Sequence, residues 1–273
     1  MISVIIPAHN EAALIGDCLR ALLASDPLAV PVDVIVVANG CTDDTVRIAE
    51  GFADQARAKG WGFEVLDLPG LGKPGALNAG DAAAAHPARA YLDADVTVAP
   101  GLMAALWRTL DRAEPAYASG SVRITGQGAT ARRYARFWSR VPFMCSGVPG
   151  CGLFAVNGPG RARWGVFPPI ISDDTYVRLL FAPEERHLAD APYDWPIAEG
   201  FRALIKVRKR QDVGVEEIAR LYPDSLANDD KQTLGARGKM VLALRDPLGF
   251  LTYAGVALAV RLSPAPRDWS RGR

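Results

Sequence analysis

The run Tyr91-Leu92-Asp93-Ala94-Asp95 is apolar until it stops at two carboxylates one residue apart. At the mouth of a strand such a pair can bridge a hard cation to a phosphate, since Mg2+ and Mn2+ accept one or two carboxylates beside phosphate oxygens. The cation would neutralise a diphosphate and a departing group, which suits enzymes that handle nucleotide diphosphates. Taken singly, two acids after a strand are more often a solvated turn. Lys73 stands in Gly70-Leu71-Gly72-Lys73-Pro74-Gly75, read as a flexible loop whose cation could reach a phosphate or simply be solvated. Thr42-Asp43-Asp44 and Ser172-Asp173-Asp174 put acids where helices should begin, a position the helix dipole favours whatever else they do. Arg208 and Arg210 fall on one face of an expected strand and could hold a diphosphate as it leaves.

Short β-branched or apolar runs predict strands over residues 2–6, 32–38, 63–66 and 90–92. Helical spacing fills residues 11–24, a second helix runs from the Thr42-Asp43-Asp44 cap to about residue 58, and a third covers 76–85. This alternation predicts βαβ units and a mostly parallel central sheet flanked by helices. In such sheets ligands bind outside the carboxyl ends of the strands. His9-Asn10-Glu11, Asn39 to Asp44 and Asp93-Ala94-Asp95 each follow a strand end, so three polar clusters converge on one edge. The second half is less regular. It reads as helix over 100–112, strand over 118–125, helix over 129–141, strand over 152–157, helix over 173–181 and strand over 201–210. Two or three helices follow to residue 262, then a Pro- and Arg-rich tail from residue 263 that is expected to be disordered.

A net charge of +1 excludes the global field of a nucleic-acid binder, although Arg132, Arg133, Arg136 and Arg140 cluster locally. Cys18, Cys41, Cys145 and Cys151 show neither Cys-x-x-Cys spacing nor a His pair to complete a zinc site, and read as reduced thiols of a cytoplasmic protein. Met1 to Pro7 lacks the basic and long apolar regions of a signal peptide. The apolar segment 247–262 falls short of the roughly 20 residues that span a bilayer.

Five segments in order now resemble the family-2 glycosyltransferases. They are Val4-Ile5-Ile6-Pro7-Ala8-His9-Asn10-Glu11, Ile35 through Asn39-Gly40-Cys41-Thr42-Asp43-Asp44-Thr45, Lys73 through Ala76-Leu77-Asn78-Ala79-Gly80, Leu92-Asp93-Ala94-Asp95, and Gly152 through Asn157 followed by Ser172-Asp173-Asp174. The resemblance implies a GT-A fold, Rossmann-like, with a catalytic domain over 1–212 divided into a nucleotide-binding half (1–98) and an acceptor half (99–212). A helical C-terminal extension over 213–262 would follow. It implies inverting transfer of a single sugar from a nucleotide-diphosphate donor, UDP or GDP, to an acceptor hydroxyl.

By the same resemblance Pro7, Ala8, Asn10, Glu11, Asn39, Asp43, Lys73 and Asn78 serve the donor, with Asp43 accepting from a uracil nitrogen. Asp95 takes the divalent metal, Mn2+ or Mg2+, and Asp93 serves ribose or metal. Asp174 is the base and Asp173 its support. The chain departs from polymerising members, whose Gln-x-x-Arg-Trp is not completed after Gln211, so processive synthesis is not implied. A sugar nucleotidyltransferase is the alternative enzyme, but its Gly-x-Gly-Thr-Arg loop is absent after the first strand. A nucleotide-sugar-binding protein without catalysis is the non-enzymatic alternative.

The acceptor stays open among saccharide, lipid-linked and small-molecule classes, with no nucleic-acid partner. Two segments bear on peripheral contact at the inner face of the cell membrane. Tyr134, Phe137, Trp138 and Val141 form an aromatic helical stripe that packs in the core or in an acceptor groove, or else meets lipid, and Leu248 to Leu262 lies between Arg245 and Arg261.

Overall fold

The computed structural model describes residues 1–145, 147–232 and 234–263. Its N-terminal third alternates strand and helix as the hydrophobic periods require: β1 (Ile2–Ala8), α1 (Ile15–Leu23), β2 (Val32–Asn39), α2 (Thr45–Glu50), α3 (Ala53–Ala58), β3 (Gly62–Leu68), α4 (Gly72–Ala83) and β4 (Ala88–Leu92). There follow β5 (Thr97–Val98), α5 (Leu102–Leu110), β6 (Tyr117–Thr125), α6 (Ala129–Trp138), α7 (Pro142–Cys145), β7 (Leu153–Val156), α8 (Gly158–Arg161), α9 (Asp173–Leu179) and β8 (Arg186–Pro196). The chain then turns helical, in α10 (Phe201–Leu221), α11 (Ala236–Arg245) and α12 (Pro247–Leu262).

Among the described residues the strands make one sheet in the order β3-β2-β1-β4-β7-β6-β8-β5. The block β3-β2-β1-β4 is wholly parallel. Beyond it β7 runs antiparallel to β4 and β6, β8 returns parallel to β6, and β5 closes antiparallel on β8. The α/β fold with a helical C-terminal region is as expected, and its parallel character is concentrated in the first half. β1 and β2 are buried on both faces, which is why they read as continuous apolar runs rather than alternating ones. On one side the sheet packs Leu19, Leu22, Leu102 and Leu106; on the other it packs Leu77, Tyr91, Phe154 and Val177. Each such side chain contributes about 1.5–3 kcal/mol by leaving water.

Three expectations are corrected. The helix over residues 42–58 is two helices, broken at Gly51-Phe52. The supposed loop at Lys73 is already the first turn of α4, where Pro74 is tolerated because first-turn N–H groups need no intrahelical acceptor. The expected strand over residues 201–210 is the start of α10. A strand would send Leu204 and Ile205 to opposite faces, whereas the helix turns both toward Tyr134 and Tyr253 and sets Arg208 one turn from Asp212, at 2.9 Å. This helix is continuous through residue 212, where a catalytic domain had been expected to end. Finally, β8 had no reading at all. Its sequence carries charges and two prolines, and its register against β6 shifts between Ser119 and Ser121, so no period of two survives.

Of the aromatic stripe of α6, Tyr134 and Phe137 are core and Trp138 is half-buried. The Tyr134 and Phe137 rings pack on Tyr253 at 5.2 and 5.1 Å between centroids. The arginine cluster has a structural use as well. Arg136 grips Asp246 through two hydrogen bonds of 2.6 and 2.7 Å, and Asp246 caps α12 by accepting from the Gly249 N–H at 3.0 Å. The Arg136 guanidinium pulls the Asp246 carboxyl down to about 2, against the opposing effect of burial. The disordered-tail expectation falls on residues 264–273, outside those described.

Candidate active site

The carboxyl end of β4 and the first turns of α4 and α9 bring four charged side chains together. Lys73 Nζ lies 2.9 Å from Asp93 Oδ1 and 3.2 Å from Asp173 Oδ2. Asp174, next along α9, accepts from the Thr175 N–H at 2.7 Å. A small cavity at this point is lined by Pro7, Lys73, Asp93, Asp173, Asp174 and the glycines Gly150 and Gly152. Burial is the largest influence on Asp174, followed by the Asp173 charge, and together they push its carboxyl up to about 6, with Lys73 pulling the other way. Asp173 is raised by the same burial, with the Lys73 ammonium opposing. Burial alone would lower Lys73, but Asp173 and Asp93 outweigh it and hold the ammonium firmly protonated. A carboxyl near 6 is well suited to take a proton at neutral pH.

The turn 150–152 lines the cavity with two glycines where side chains would clash with the surrounding rings. Gly150 and Gly152 adopt φ of +69° and +73°, and a Cβ on Gly152 would stand 2.7 Å from the Trp195 ring. Sequence reasoning missed Gly150 and took Gly152 only as the start of a strand and of a matched segment, although Pro149-Gly150-Cys151-Gly152 is a turn signature.

The loops after β1 and β2 form a second cluster. Asn10, at φ 54°, accepts from the Thr42 N–H at 2.7 Å. Asp43 accepts from the Ala12 N–H at 3.1 Å and the Thr45 N–H at 3.0 Å, while the Glu11 N–H donates to Thr45 Oγ1 at 2.8 Å. Desolvation works against the Asp43 charge, but the Thr45 and Ala12 hydrogen bonds prevail and hold its carboxyl below the usual range. Asp43 is thus both the turn-forming acid and an exposed carboxylate at the strand ends. Ala8 ends β1 buried beneath this cluster, its carbonyl accepting from Cys41 Sγ at 3.6 Å.

Two candidates are occupied elsewhere. The Asn39 amide donates to Gly72 O at 2.9 Å and accepts from the Leu71 N–H at 2.7 Å, bracing the segment that presents Lys73. The Asn78 amide clamps Phe167 through both its N–H, at 2.6 Å, and its carbonyl, at 3.0 Å. Their types suggested ligand contacts; their hydrogen bonds go to backbone.

A larger cleft, about 150 Å³, opens on the far side of Asp93 and Asp95. Tyr134, Trp138, Trp195, Ile197, Leu204 and Val207 give it apolar walls, and Arg208, Arg210 and Gln211 supply its polar groups. Arg208 and Arg210 therefore line the cleft that holds the acidic pair from a helix rather than from a strand face. Arg208 is itself braced, by Asp212 and by the Tyr253 hydroxyl at 3.2 Å. The cleft arises where α6, the end of β8 and α10 meet, so Trp195, on an unread strand, carried no signal.

Among the described residues no group of three or more His, Cys, Asp or Glu side chains is arranged to hold a metal ion. The donor set nonetheless fits a hard cation. Asp93 and buried Asp95 share one cleft, only oxygen donors are on offer, and two carboxylates are what Mg2+ or Mn2+ takes when substrate phosphates and water complete its shell. The Lys73 ammonium between Asp93 and Asp173 is a further sign that this cluster accommodates positive charge.

Comparison with known proteins agrees in kind. The profile described as glycosyl transferase family 2 matches residues 3–155. A 4,4'-diaponeurosporenoate glycosyltransferase of Staphylococcus aureus (strain USA300) is 27% identical over 198 residues, covering 69% of this chain and 48% of the relative. The chain thus spans about half the length of the curated relatives it matches. Among solved structures, the mannosyltransferase PcManGT from Pyrobaculum calidifontis in complex with GDP-Man and Mn2+ matches with a TM-score of 0.58 at 20% identity, over 96% of this chain and 76% of that one. S. aureus TarS 1-349 in complex with UDP-GlcNAc matches with a TM-score of 0.52 at 14% identity, over 95% and 91%. At these identities the likeness concerns the fold, and the fold is GT-A.

Proposed function

Because the chain belongs to glycosyl transferase family 2, we propose that it moves one sugar from a nucleotide-diphosphate donor, UDP or GDP, to an acceptor hydroxyl with inversion. The observation that carries this reading is the buried acid cluster, with Asp174 raised to about 6 beside Lys73, Asp93 and Asp173. In the proposed reaction the Asp174 carboxylate takes the proton of the acceptor hydroxyl, and the oxygen attacks the anomeric carbon. The bond to the diphosphate breaks on the opposite face, the electron pair leaving with the diphosphate. Asp173, tied to Lys73, orients Asp174. Asp95 and Asp93 would hold Mn2+ or Mg2+, which supplies charge neutralisation to the departing diphosphate. The loop cluster of Pro7, Ala8, Asn10, Glu11 and Asp43 is assigned to the nucleoside, Lys73 and Arg210 to the phosphates. Arg208, which shares the cleft with Arg210, is assigned to the departing diphosphate as well.

The acceptor is assigned to the cleft of Trp138, Trp195, Ile197 and Leu204. Apolar walls beside a polar reaction centre favour an acceptor with an apolar segment, the lipid-linked class. A relative named for 4,4'-diaponeurosporenoate supports the same class. Residues 1–98 would then serve the donor and 99–212 the acceptor, with 213–262 as extension. The four cysteines are all free, which supports the cytoplasm as its location.

The test is turnover. Purified protein is incubated with a panel of UDP and GDP sugars and Mn2+ or Mg2+, and release of nucleoside diphosphate is followed. Release that stops on chelation and in Asp95→Ala is the expected result. Pyrophosphate as product would make the protein a nucleotidyltransferase, and nucleotide binding without turnover across acceptors would make it a binding protein.

A further inference from the structure

The two segments that the sequence offered to a membrane have separate fates in the fold. The stripe on α6 is consumed by packing on α12. The outer side of α11 and α12 is left bare. Met240, Val241, Leu244, Leu248, Leu251, Leu258 and Leu262 are all exposed, with Leu244 at 78%, Leu251 at 65% and Leu262 at 77%. On α12 the exposed leucines recur at 248, 251, 258 and 262, a helical stripe, while Phe250, Tyr253, Val256 and Val260 face α6 and α10. The helix is therefore apolar on both sides, which a solvated surface helix is not.

Charge identifies the occupant. From Ala236 to Leu262 the cations are Arg237, Lys239, Arg245 and Arg261, all exposed. The single acid, Asp246, is buried and paired with Arg136. We infer that this hairpin is a docking surface for an anionic lipid bilayer, lying in the interface with its leucines among the acyl chains and its four cations at the headgroups. α12 has 16 residues, and no helix among the described residues is long and apolar enough to cross a membrane, so the hairpin lies along the surface. A second copy fits less well. A two-fold interface would set the same patch against itself and bring cation against cation. Since α12 packs on α6 and α10, which wall the acceptor cleft, docking would seat that cleft beside the bilayer.

Flotation of the full chain with vesicles tests this without any assay of activity. Vesicles of mixed phosphatidylcholine and phosphatidylglycerol should carry the protein on the order of 100-fold better than phosphatidylcholine alone, and high salt should reduce the difference. The variant Leu244→Asp/Leu251→Asp/Leu258→Asp should lose about tenfold or more of that partition with its thermal melt retained. Arg237→Gln/Lys239→Gln/Arg245→Gln/Arg261→Gln should lose the preference for the anionic lipid and is the second probe if the first variant does not fold. Wild type that stays off the anionic vesicles, or floats no better than the leucine variant, overturns the inference. So does a dimer that the leucine variant dissolves while neither protein floats, which would give this face to a second copy.

Discussion

The two halves of the molecule, proposed above to serve donor and acceptor, build their parts of the site by different means. On the donor side, Pro7, Asn10, Asp43 and Asp93 leave the ends of adjacent parallel strands, and the sheet alone sets their spacing. On the acceptor side, Trp138, Trp195, Leu204 and Arg210 come from a helix, a bulged strand and a second helix that meet only in the finished fold. Asp173 and Asp174 stand at the seam on α9, and Asp173 is ion-paired through Lys73 to Asp93 on the other side. The contrast shows that a strand-end site is modular, whereas a site made by packing depends on every element beneath it.

The contrast breaks first at the seam. Asp174→Asn should lower kcat by about 10²- to 10⁴-fold while nucleotide affinity, measured by titration calorimetry, holds. Asp95→Ala should lose turnover together with the metal-dependent part of nucleotide affinity. Equal losses of affinity in the two variants would mean that the halves are not separable. Next in size, Trp195→Ala should raise the KM for acceptor by roughly 10- to 100-fold and leave the donor KM unchanged; a matching rise in donor KM would join the cleft to the donor site.

The pH dependence of the seam sharpens the picture. A base must be ionised, so kcat should climb as pH rises through about 6 and level off above it. Stability should run the other way. A carboxyl raised on folding binds more protons in the native than in the unfolded state, so stability is lost as pH rises from the unfolded value to about 6 and stays lost above. At pH 7 Asp174→Asn should therefore gain on the order of 1–3 kcal/mol in denaturant unfolding, with little gain at pH 4. The smallest effect belongs to the C-terminal extension. Asp246→Ala removes the α12 cap and the Arg136 pair and should cost about 1–2 kcal/mol of stability, the exposed arginine adding little, with kcat intact.

What was legible in the chain follows the same division. Asp93 and Asp95 were found because an apolar run that ends in acids puts them at a strand mouth and because the other matched segments stand in order around them, and Lys73 was found as a cation that could reach a phosphate. Its setting was misjudged, since three glycines and a proline in six residues read as a loop although Pro74 fits a first helical turn. Asn39 and Asn78 had the right type and position, yet an amide at a strand end or on a helix serves backbone as readily as ligand, and here both amide groups are engaged by backbone. Phe201 to Arg210 alternates charge and apolarity well enough for a strand, and only the burial of Leu204 beside Ile205 on one side decides for helix.

The sequence by itself determined the family, the α/β class and the acids and lysine at the strand ends, because these rest on local order along the chain: apolar period, turn chemistry and the residue that follows a strand. Tertiary structure decided which of those polar groups face one another, that Lys73 joins Asp93 to Asp173, that Tyr134 and Phe137 of α6 are core while the leucines of α12 are surface, and that a tryptophan from an unread strand walls a cleft beside the acidic pair. Burial and juxtaposition arise from residues distant in sequence, so the same leucine or arginine acquires its use only when its neighbours are in place.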